Sequence, residues 1–239
     1  MKIDLSVIVP AYNEEKHIER TVRKAVEFLR ENCYSFEVLV IDDGSSDGTL
    51  QKSEALRGDY PELKVLRHAI NQGKGEAVKT GILQAARAYC LLMDADNSTD
   101  ISELLKLQEK VTKECPVVVA TRYSPGSHIV HPQPLLRRWL GTGYRFLCRF
   151  LFKIRGSDFN CGFKIYRTDI AKEVFAKVKM KDWSYDVEVF CRLKRMGVSV
   201  AEVPVEWTHF DKPSHASPFV TAYRTFRSLW ILKRVLEQS

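Results

Sequence analysis

Short apolar runs alternate with amphipathic segments along the first half of the chain, and this alternation constrains the fold most. The runs are rich in Val, Ile and Leu and stop at polar turns, which is typical of buried strands. Five strands are predicted, in residues 5–10, 36–42, 63–69, 89–93 and 116–123, with helices in 14–32, 49–56, 73–88 and 101–114. Short connections between alternating strands and helices predict an α/β fold with a mostly parallel sheet covered by helices on both faces.

In the second half of the chain, apolar runs and amphipathic segments no longer alternate regularly. A loop leading into a short strand is predicted over 157–169, a helix over 182–197 that Gly197 closes, a strand over 198–207 and a tail helix over 217–238. No stretch rich in Pro, Gly or Ser divides the chain, so residues 1–239 are expected to form a single domain.

Polar residues follow the predicted strands at the points where the strands end. Because the carboxyl ends of parallel strands meet at one edge of a sheet, where such proteins bind ligands, these residues are expected to converge. They are Tyr12, Asn13, Glu14, Asp42, Asp43, Asn71, Asp94 and Asp96.

Asp94 and Asp96 end the fourth predicted strand. Residues i and i+2 of a strand share a face, so these two like charges require a counter-ion. Mg²⁺ or Mn²⁺ suits two carboxylates and fills its other positions with water and phosphate oxygens. Alternatively, Asp94 or Asp100 caps the helix predicted next, and we assign that cap to Asp100.

Two further strand-end loops offer candidate binding groups. Asp42 and Asp43 suit nucleoside hydroxyls or base N–H groups, because carboxylates do not hold phosphate without a metal. Asp47, in the same loop, is expected to cap the next helix. The loop around Lys74 (NQGKGEA, 71–77) lacks the spacings of glycine-rich phosphate loops and by itself indicates only a loop.

The net charge of +7 is concentrated in one segment. No acidic residue lies between Glu114 and Asp158, and this window implies an anionic partner. Its cations are Arg122, Arg137, Arg138, Arg145, Arg149, Lys153 and Arg155. Aromatic residues among these cations, and in the tail, suit helices that lie on a membrane surface, although core helices with solvated arginines fit the pattern too. Nucleic acid is not expected, because no nucleic-acid-binding motif accompanies the basic segment.

Several classes are disfavoured. The six cysteines form no C-x-x-C pair, so neither a zinc site nor a disulfide framework is expected, and a cytoplasmic protein with reduced thiols is predicted. The N-terminal residues are typical of a first strand rather than a signal peptide. No run approaches the ~18 apolar residues that a membrane-spanning helix needs.

Taken together, five motifs resemble the family 2 glycosyltransferases, which have the GT-A fold with a Rossmann-like sheet. They are VIVPAYNEE, VIDDGSSDGT, NQGKGEAVKTG, MDAD and ATRY, in that order over residues 7–123. The resemblance implies that 1–123 binds a nucleotide sugar and that 124–239 binds the acceptor. Pro10, Tyr12, Glu14 and Asp43 would hold base and ribose, Asp42 would order their loop, Lys74 would join the nucleotide-sugar site, and Asp94 and Asp96 would hold the metal on the sugar diphosphate.

The second half resembles the branch of this family that glucosylates or mannosylates dolichyl and polyprenyl phosphates. The segments SDFNCGFKIYR (157–167), WSYDVEVFCRLKRMG (183–197) and AEVPVEW (201–207) carry this resemblance, and the glucosyl members are closer. It implies that Arg122 and Arg137 hold the acceptor phosphate, that Arg138 assists, and that Asp96, Arg122 and Arg137 are catalytic.

The acceptor determines the expected mechanism. Family 2 enzymes invert the anomeric centre in one step, so a nucleophilic Cys161 is disfavoured. A phosphate acceptor is already ionised and needs positioning rather than a base, which leaves Asp186 and Glu188 as candidates for binding sugar hydroxyls or for a base.

We therefore expect transfer of a hexose to a lipid phosphate at the cytoplasmic face of a membrane, by a peripheral protein. UDP-glucose is the favoured donor and GDP-mannose the second. Alternatives are a family 2 enzyme that acts on a sugar or glycan hydroxyl, with Asp186 or Glu188 as its base, and a nucleotide-sugar-binding subunit without turnover.

Overall fold

The structure is a computed structural model that describes residues 3–33, 35–131, 135–208 and 218–238, without the side chains of residues 131, 135–137 and 218–225. The strands are β1 (Asp4–Ala11), β2 (Ser35–Asp42), β3 (Leu63–Arg67), β4 (Tyr89–Leu92), β5 (Val117–Thr121), β6 (His128–His131), β7 (Lys164–Arg167), β8 (Val200–Pro204) and β9 (Glu206–Thr208). The helices are α1 (Ile18–Asn32), α2 (Thr49–Ala55), α3 (Lys74–Gln84), α4 (Leu104–Gln108), α5 (Leu135–Phe152), α6 (Thr168–Lys177), α7 (Tyr185–Arg195) and α8 (Pro218–Glu237).

Seven strands form the main sheet, in the order β3-β2-β1-β4-β7-β5-β8. The pairs of β1 with β2 and β4, of β2 with β3 and of β5 with β8 are parallel, as predicted. In contrast, β7 runs antiparallel to both of its neighbours, β4 and β5. Strands from both halves of the chain therefore build one sheet, and β6 and β9 pair separately.

Alternation of side chains along the strands creates a core on each face of the sheet. In β1, Val7 and Val9 pack into the core that includes α1, whereas Ile8 packs into the opposite core, which includes α3, α6, α7 and α8. The same alternation separates Val40 from Ile41 in β2. Because successive strand residues point to opposite faces, these continuous apolar runs place the sheet between two helical layers.

Local structure departs from the predicted elements mainly in the second half. The helix α6 and the strand β6 were not predicted, and the strand predicted over 198–207 is split into β8 and β9 at Val205. The helix predicted over 101–114 is also shorter, because a 3₁₀ turn over Ile101–Glu103 precedes the five-residue α4. The short helices α4 and α6 pack on strands of the main sheet, and β6 pairs with β9, and periodicity alone does not reveal such contacts.

The predicted cap at Asp100 is confirmed. Its side chain accepts a hydrogen bond from the backbone N–H of Ser102 and forms an ion pair with Lys24 of α1. Burial opposes ionisation of Asp100, but the hydrogen bonds from Lys24 and Ser102 outweigh this and lower its pKa to about 2. The loop after Asp96 is therefore fixed to α1.

We expect Asp100→Asn to lower the free energy of unfolding at pH 7 by about 1 kcal/mol, because asparagine keeps the cap but loses the partly screened charge. A folded-state pKa of about 2 lies below the value of ~3.9 in unfolded chains, so the contribution is present above that value and is lost as the pH falls toward 2. Urea unfolding of both proteins between pH 7 and pH 3 measures this. A difference that grows as the pH falls would contradict the assignment.

Candidate active site

The loops that follow β1 and β2 are locked together at the carboxyl end of the sheet. Asn13 lies in the left-handed region, with φ of 55°, and its N–H donates to Ser45 Oγ over 2.9 Å. In return, the N–H of Ser46 donates to Asn13 Oδ1 over 2.9 Å, and that of Glu14 donates to Thr49 Oγ1 over 2.7 Å. These reciprocal bonds make a single edge from two loops that are about 30 residues apart in sequence.

The candidate residues of β1 lie at this edge. Pro10 is the penultimate residue of β1 and pairs in register with Ile41 of β2. The Tyr12 side chain is half exposed, and the Glu14 carboxylate lies 3.0 Å from His17 Nδ1. A ring exposed on a fixed edge offers a stacking surface for a base, which suits the predicted role of Tyr12.

Asp42 and Asp43 are both buried, but their partners differ. Asp43 accepts hydrogen bonds from the backbone N–H groups of Gln72, at 3.0 Å, and Gly73, at 2.8 Å, and lies 2.6 Å from His68 Nδ1. Asp42 accepts only from Ser45 N–H, at 3.3 Å, within the described residues. Its second oxygen has no hydrogen-bond partner there and lies 3.5 Å from Arg67 Nε. The contacts of Asp43 thus order the loops at Gln72 and Gly73, and the roles of Asp42 and Asp43 toward base and ribose stay predictions.

The segment that carries Asp94 and Asp96 is held from three sides. The carbonyl oxygen of Ala95 accepts from Thr21 of α1 at 2.8 Å, and that of Ser98 accepts from the N–H of Thr208 in β9 at 2.8 Å. Asp96 Oδ1 accepts from the N–H of Ser98 at 3.0 Å and from its hydroxyl at 2.6 Å. Both carboxylates therefore project from a rigid turn at the end of β4.

The counter-ion that this pair of carboxylates requires is Lys74. Its Nζ lies 2.5 Å from Asp94 Oδ1 and 4.5 Å from the centroid of the Trp183 ring, which covers it. Burial lowers the pKa of Lys74, but the charges of Asp94, Asp186 and Asp96 outweigh burial and raise this pKa above its usual value. Lys74 is therefore an ammonium ion at the start of α3, directed at the end of β4.

Asp94 also touches the segment that precedes β7. A Cβ atom added at Gly162 would overlap the Asp94 carboxylate, so only glycine leaves that side chain in place. On the far side of this segment, Asp158 binds Arg122 in a buried bidentate pair, with distances of 2.7 Å to Nε and 2.8 Å to Nη2. Burial opposes ionisation of Asp158, but the charge of Arg122 holds its pKa below the usual range.

A stack of rings and guanidinium groups leads away from Arg122. The guanidinium carbon lies 5.1 Å from the Trp207 ring centroid and 5.5 Å from that of Tyr123. Arg145 of α5 covers Tyr123, at 3.7 Å from its centroid. This contact fixes α5 to the end of β5 through cation–π interactions. A rim of carboxylates at β4 therefore lies next to a group of arginines at β5.

Comparison with known proteins identifies the family. A profile of the family described as glycosyl transferase family 2 matches residues 6–175. The chain belongs to glycosyl transferase family 2. A dolichyl-phosphate beta-glucosyltransferase from Dictyostelium discoideum is 31% identical, over 95% of this chain and 73% of that protein. Proteins of the same description from Trichomonas vaginalis and Homo sapiens are 31% and 29% identical, over 84% and 87% of this chain. The chain spans 62% and 68% of their lengths.

Solved structures confirm the predicted GT-A fold of this family 2 glycosyltransferase. Mannosyl-3-phosphoglycerate synthase from Rubrobacter xylanophilus superposes with a TM-score of 0.69 at 14% identity, over 99% of this chain and 74% of that one. Glucosyl-3-phosphoglycerate synthase from Mycobacterium tuberculosis, solved with Mn²⁺ and UDP-glucose, gives 0.66 at 15% identity, over 96% and 79%.

The residues at the end of β4 fit a divalent cation. Mg²⁺ and Mn²⁺ need only one or two protein carboxylates when phosphate oxygens complete the shell, so Asp94 and Asp96 provide a sufficient donor set. No cluster of three or more acidic, His or Cys ligands occurs in the described part of the chain. Bound to these carboxylates, the ion would offset negative charge on the departing diphosphate.

The structure contradicts the expectation for Glu188. This carboxylate is fully buried and accepts from the N–H groups of Lys179 and Met180 and from Arg192, at distances between 2.6 and 3.2 Å. Because its oxygens are taken up by these donors, Glu188 holds the start of α7 in place and is not available to a sugar or as a base.

Asp186 is also tied to a structural partner. Lys164 Nζ of β7 lies 2.5 Å from Asp186 Oδ1, and both side chains are buried. Burial raises the pKa of Asp186, against the charge of Lys164. The pair lies close enough to Lys74 to influence it, so Asp186 belongs to the charge balance of the site rather than to its open surface.

The remaining expectations have mixed outcomes. Arg122 lies next to the carboxylates at the end of β4, but Asp158 neutralises most of its charge. The sequence did not reveal this pairing. Arg138 is exposed on α5, and the side chain of Arg137 lies outside the described residues. Burial raises the pKa of the Cys161 thiol to about 11, which agrees with a packed thiol rather than a nucleophile.

Four site residues escaped the sequence analysis as members of the site: Trp183, Asp158, Gly162 and Lys164. Asp158 is the acidic residue that ends the cationic segment, and this position is the sequence feature that could have identified it as a partner of a cation in that segment. Gly162 lies in the C-G-F-K motif, where a glycine before a strand indicates close approach of another group. No sequence pattern paired Lys164 with Asp186 or Trp183 with Lys74.

We expect Gly162→Ala to weaken UDP binding in the presence of Mn²⁺ by about tenfold or more, because the added Cβ displaces the Asp94 carboxylate. The backbone at Gly162 lies outside the left-handed region, so alanine itself is not strained there. Calorimetry of UDP binding and thermal unfolding measure the two effects. Gly58→Ala is the control, because its Cβ meets nothing within 4 Å, and equal UDP affinity in both variants would contradict the expectation.

Proposed function

We propose that this chain transfers glucose from UDP-glucose to dolichyl phosphate or a related polyprenyl phosphate, with inversion at the anomeric carbon. The similarity to dolichyl-phosphate beta-glucosyltransferases, which extends over 95% of the chain, supports this substrate pair. A structural neighbour that binds UDP-glucose with Mn²⁺ shares the fold that carries Asp94 and Asp96. GDP-mannose is the second candidate donor.

The observation that carries the proposal is that both candidate base carboxylates are held in buried ion pairs. Glu188 is paired with Arg192, and Asp186 with Lys164. A hydroxyl acceptor needs a base within reach of its proton, whereas a lipid phosphate is already ionised. A site that positions charge without offering a base therefore suits a phosphate acceptor.

The donor would bind along the edge formed by β1, β2 and β4. Tyr12 offers a stacking surface to the base, with Pro10 and Glu14 beside it, and we retain Asp43 for the base and ribose from the family resemblance. Lys74 and the metal at Asp94 and Asp96 would hold the diphosphate. Asp43 acts on the same site by ordering the loops at Gln72 and Gly73.

The acceptor phosphate would bind at the arginines beyond Gly162. Asp158 uses two of the five N–H donors of Arg122, which leaves the others for a phosphate. Positive charge comes mainly from Arg138 and Arg145, neither of which has a carboxylate partner within the described chain. We retain Arg137 as a third phosphate ligand, from the family resemblance.

The test is an assay of the purified protein with Mn²⁺ or Mg²⁺ and either UDP-glucose or GDP-mannose, with and without a short polyprenyl phosphate. Released nucleoside diphosphate and organic-extractable sugar are measured. We expect release that depends on the lipid and on UDP-glucose. Transfer to a free sugar or glycan hydroxyl at the same rate, or donor binding without any lipid-dependent product, would refute the proposal.

The helices α5 and α8 would dock the protein on the cytoplasmic face of a membrane. Trp139, Phe146 and Phe150 project from one side of α5, each at least 70% exposed, and an arginine precedes each of them. Their spacing of seven and four residues places them on one helical face. On α8, Phe226 and Trp230 are also exposed, while Leu229 and Leu232 pack in the core. No helix in the described residues is long and apolar enough to cross a bilayer.

A triple variant, Trp139→Ala, Phe146→Ala and Phe150→Ala, should bind vesicles of phosphatidylcholine and phosphatidylserine at least about tenfold more weakly than the parent. Each ring would lose the free energy of burial in the interface, while the arginines and their salt-sensitive attraction remain. Co-sedimentation at 50 and 300 mM NaCl measures both contributions. Leu83→Ala, an exposed apolar position on α3, is the matched control, and equal loss in both proteins would contradict a specific docking face.

A further inference from the structure

Lys74 forms an ion pair with Asp94, one of the two carboxylates that the proposed metal site requires. Its Nζ is 2.5 Å from Asp94 Oδ1, and the Trp183 ring closes over it at 4.5 Å. We propose that Lys74 is a built-in cation that competes with the divalent metal for Asp94 in the free protein and moves to the donor diphosphate when metal and nucleotide bind together. This inference rests on the proposed function, because it concerns the donor side of the same site.

The charges around Lys74 explain why the competition would be strong. The carboxylates of Asp94, Asp96 and Asp186 all lie close enough to act on the Lys74 ammonium, and Asp186 is also paired with Lys164. A divalent ion arriving alone would meet the Lys74 ammonium at a carboxylate that this group already neutralises. Two cations at one carboxylate repel each other strongly at a partly buried site, where the effective dielectric constant is below that of water. A metal ion accompanied by a diphosphate avoids this penalty, because the phosphate gives the ammonium a new anionic partner.

Neighbouring groups hold the backbone around Lys74 in place, whereas its side chain is covered on one side by an exposed ring. Gly75 N–H donates to the carbonyl of Lys181 over 2.7 Å, and a Cβ at Gly73 or Gly75 would collide with the backbone before α7. The start of α3 therefore cannot shift to release Lys74. Trp183, in contrast, is 62% exposed, so its ring is the cover that can move.

If Lys74 competes with the metal for Asp94 and then binds the diphosphate, the metal and UDP should bind cooperatively. In the native protein, Mn²⁺ alone binds weakly, and UDP increases its affinity by about tenfold or more, with the same factor for the effect of Mn²⁺ on UDP. In Lys74→Met, Mn²⁺ alone binds about tenfold more tightly than in the native protein, and the enhancement by UDP becomes smaller, because only the direct bonds between the metal and the diphosphate remain to couple the two ligands. Lys74→Arg keeps the cation and should retain the native pattern.

The experiment is a titration of Mn²⁺, followed by the electron paramagnetic resonance of the free ion, with and without UDP. Neither sugar nor lipid is present, so a failure of glucosyl transfer does not affect the readout. Lys79→Met is the matched control, because this lysine of α3 donates to the carbonyl of Val178 and forms no ion pair with a carboxylate among the residues that the structure describes. Thermal unfolding establishes that each variant is folded.

A second variant avoids leaving Asp94 without its cation. Trp183→Leu removes the exposed ring that holds Lys74 in place and should raise the affinity for Mn²⁺ alone by a smaller factor, about threefold. Unchanged or weakened Mn²⁺ binding in folded Lys74→Met would overturn the proposal. So would an absence of Mn²⁺ binding to the native protein both with and without UDP, because Lys74 would then have nothing to compete with.

Discussion

Asp96→Asn is expected to reduce Mn²⁺-supported binding of UDP by about 100-fold or more and to reduce lipid-dependent transfer at least as much. Asparagine is the informative replacement because its Oδ1 can still accept the hydrogen bonds from the N–H and hydroxyl of Ser98, at 3.0 and 2.6 Å. The turn at the end of β4 is therefore kept, and only the charge that a hard cation requires is removed. Calorimetry of UDP binding with Mn²⁺ and with EDTA measures the difference.

Asp100→Asn is the matched control for this experiment. It removes the same formal charge four residues later, from a side chain that caps a helix and pairs with Lys24. It should lower stability slightly and leave UDP binding within about twofold of the native value. Full Mn²⁺-supported binding in Asp96→Asn would remove Asp96 from the metal site, and equal losses in the two variants would indicate an unspecific effect of charge.

The convergence of residues on the rim could be predicted because it follows from strand direction alone. Runs that end in Tyr12, Asp43 and Asp94 had to bring these residues to one edge once their strands were parallel, and β1, β2 and β4 are. The insertion of β7 between β4 and β5 could not be predicted in this way, because the pattern of a four-residue buried strand carries no information about its direction. That insertion is what brings Gly162 against Asp94 and Lys164 against Asp186.

Side-chain pairing limited the prediction of the site. The sequence identified Asp94 and Asp96 as a pair that needs a counter-ion and named a metal, but the structure places Lys74 there, 20 residues earlier in the chain. Arg122 was expected to hold the acceptor phosphate, yet its side chain is paired with Asp158, which lies 36 residues away. Which carboxylates are open and which are neutralised depends on such long-range contacts, and local patterns do not encode them.

Lys164→Met is expected to lower the free energy of unfolding by about 3–5 kcal/mol, the cost of leaving a buried carboxylate without its cation. Lys164 lies in the middle of the sheet, and Asp186, in the first turn of α7, has no other cation in direct contact within the described residues. For a chain of this size, such a loss lowers the melting temperature by about 10 °C. Chemical denaturation at pH 7 measures it, with Lys177→Met, whose partner Glu173 is exposed, as the control. A loss below about 1 kcal/mol would mean that water or another group solvates Asp186.

Adding Asp186→Leu to Lys164→Met should recover most of that stability, because an apolar pair of similar volume replaces a buried ion pair at little cost. The double variant then separates structure from chemistry in a folded protein that has no carboxylate at position 186. If the acceptor is a phosphate, transfer should fall by less than about tenfold, since removal of a general base costs about 10²–10⁴-fold. A loss of that larger size, in a protein as stable as the parent, would make Asp186 the base and would point to a hydroxyl acceptor.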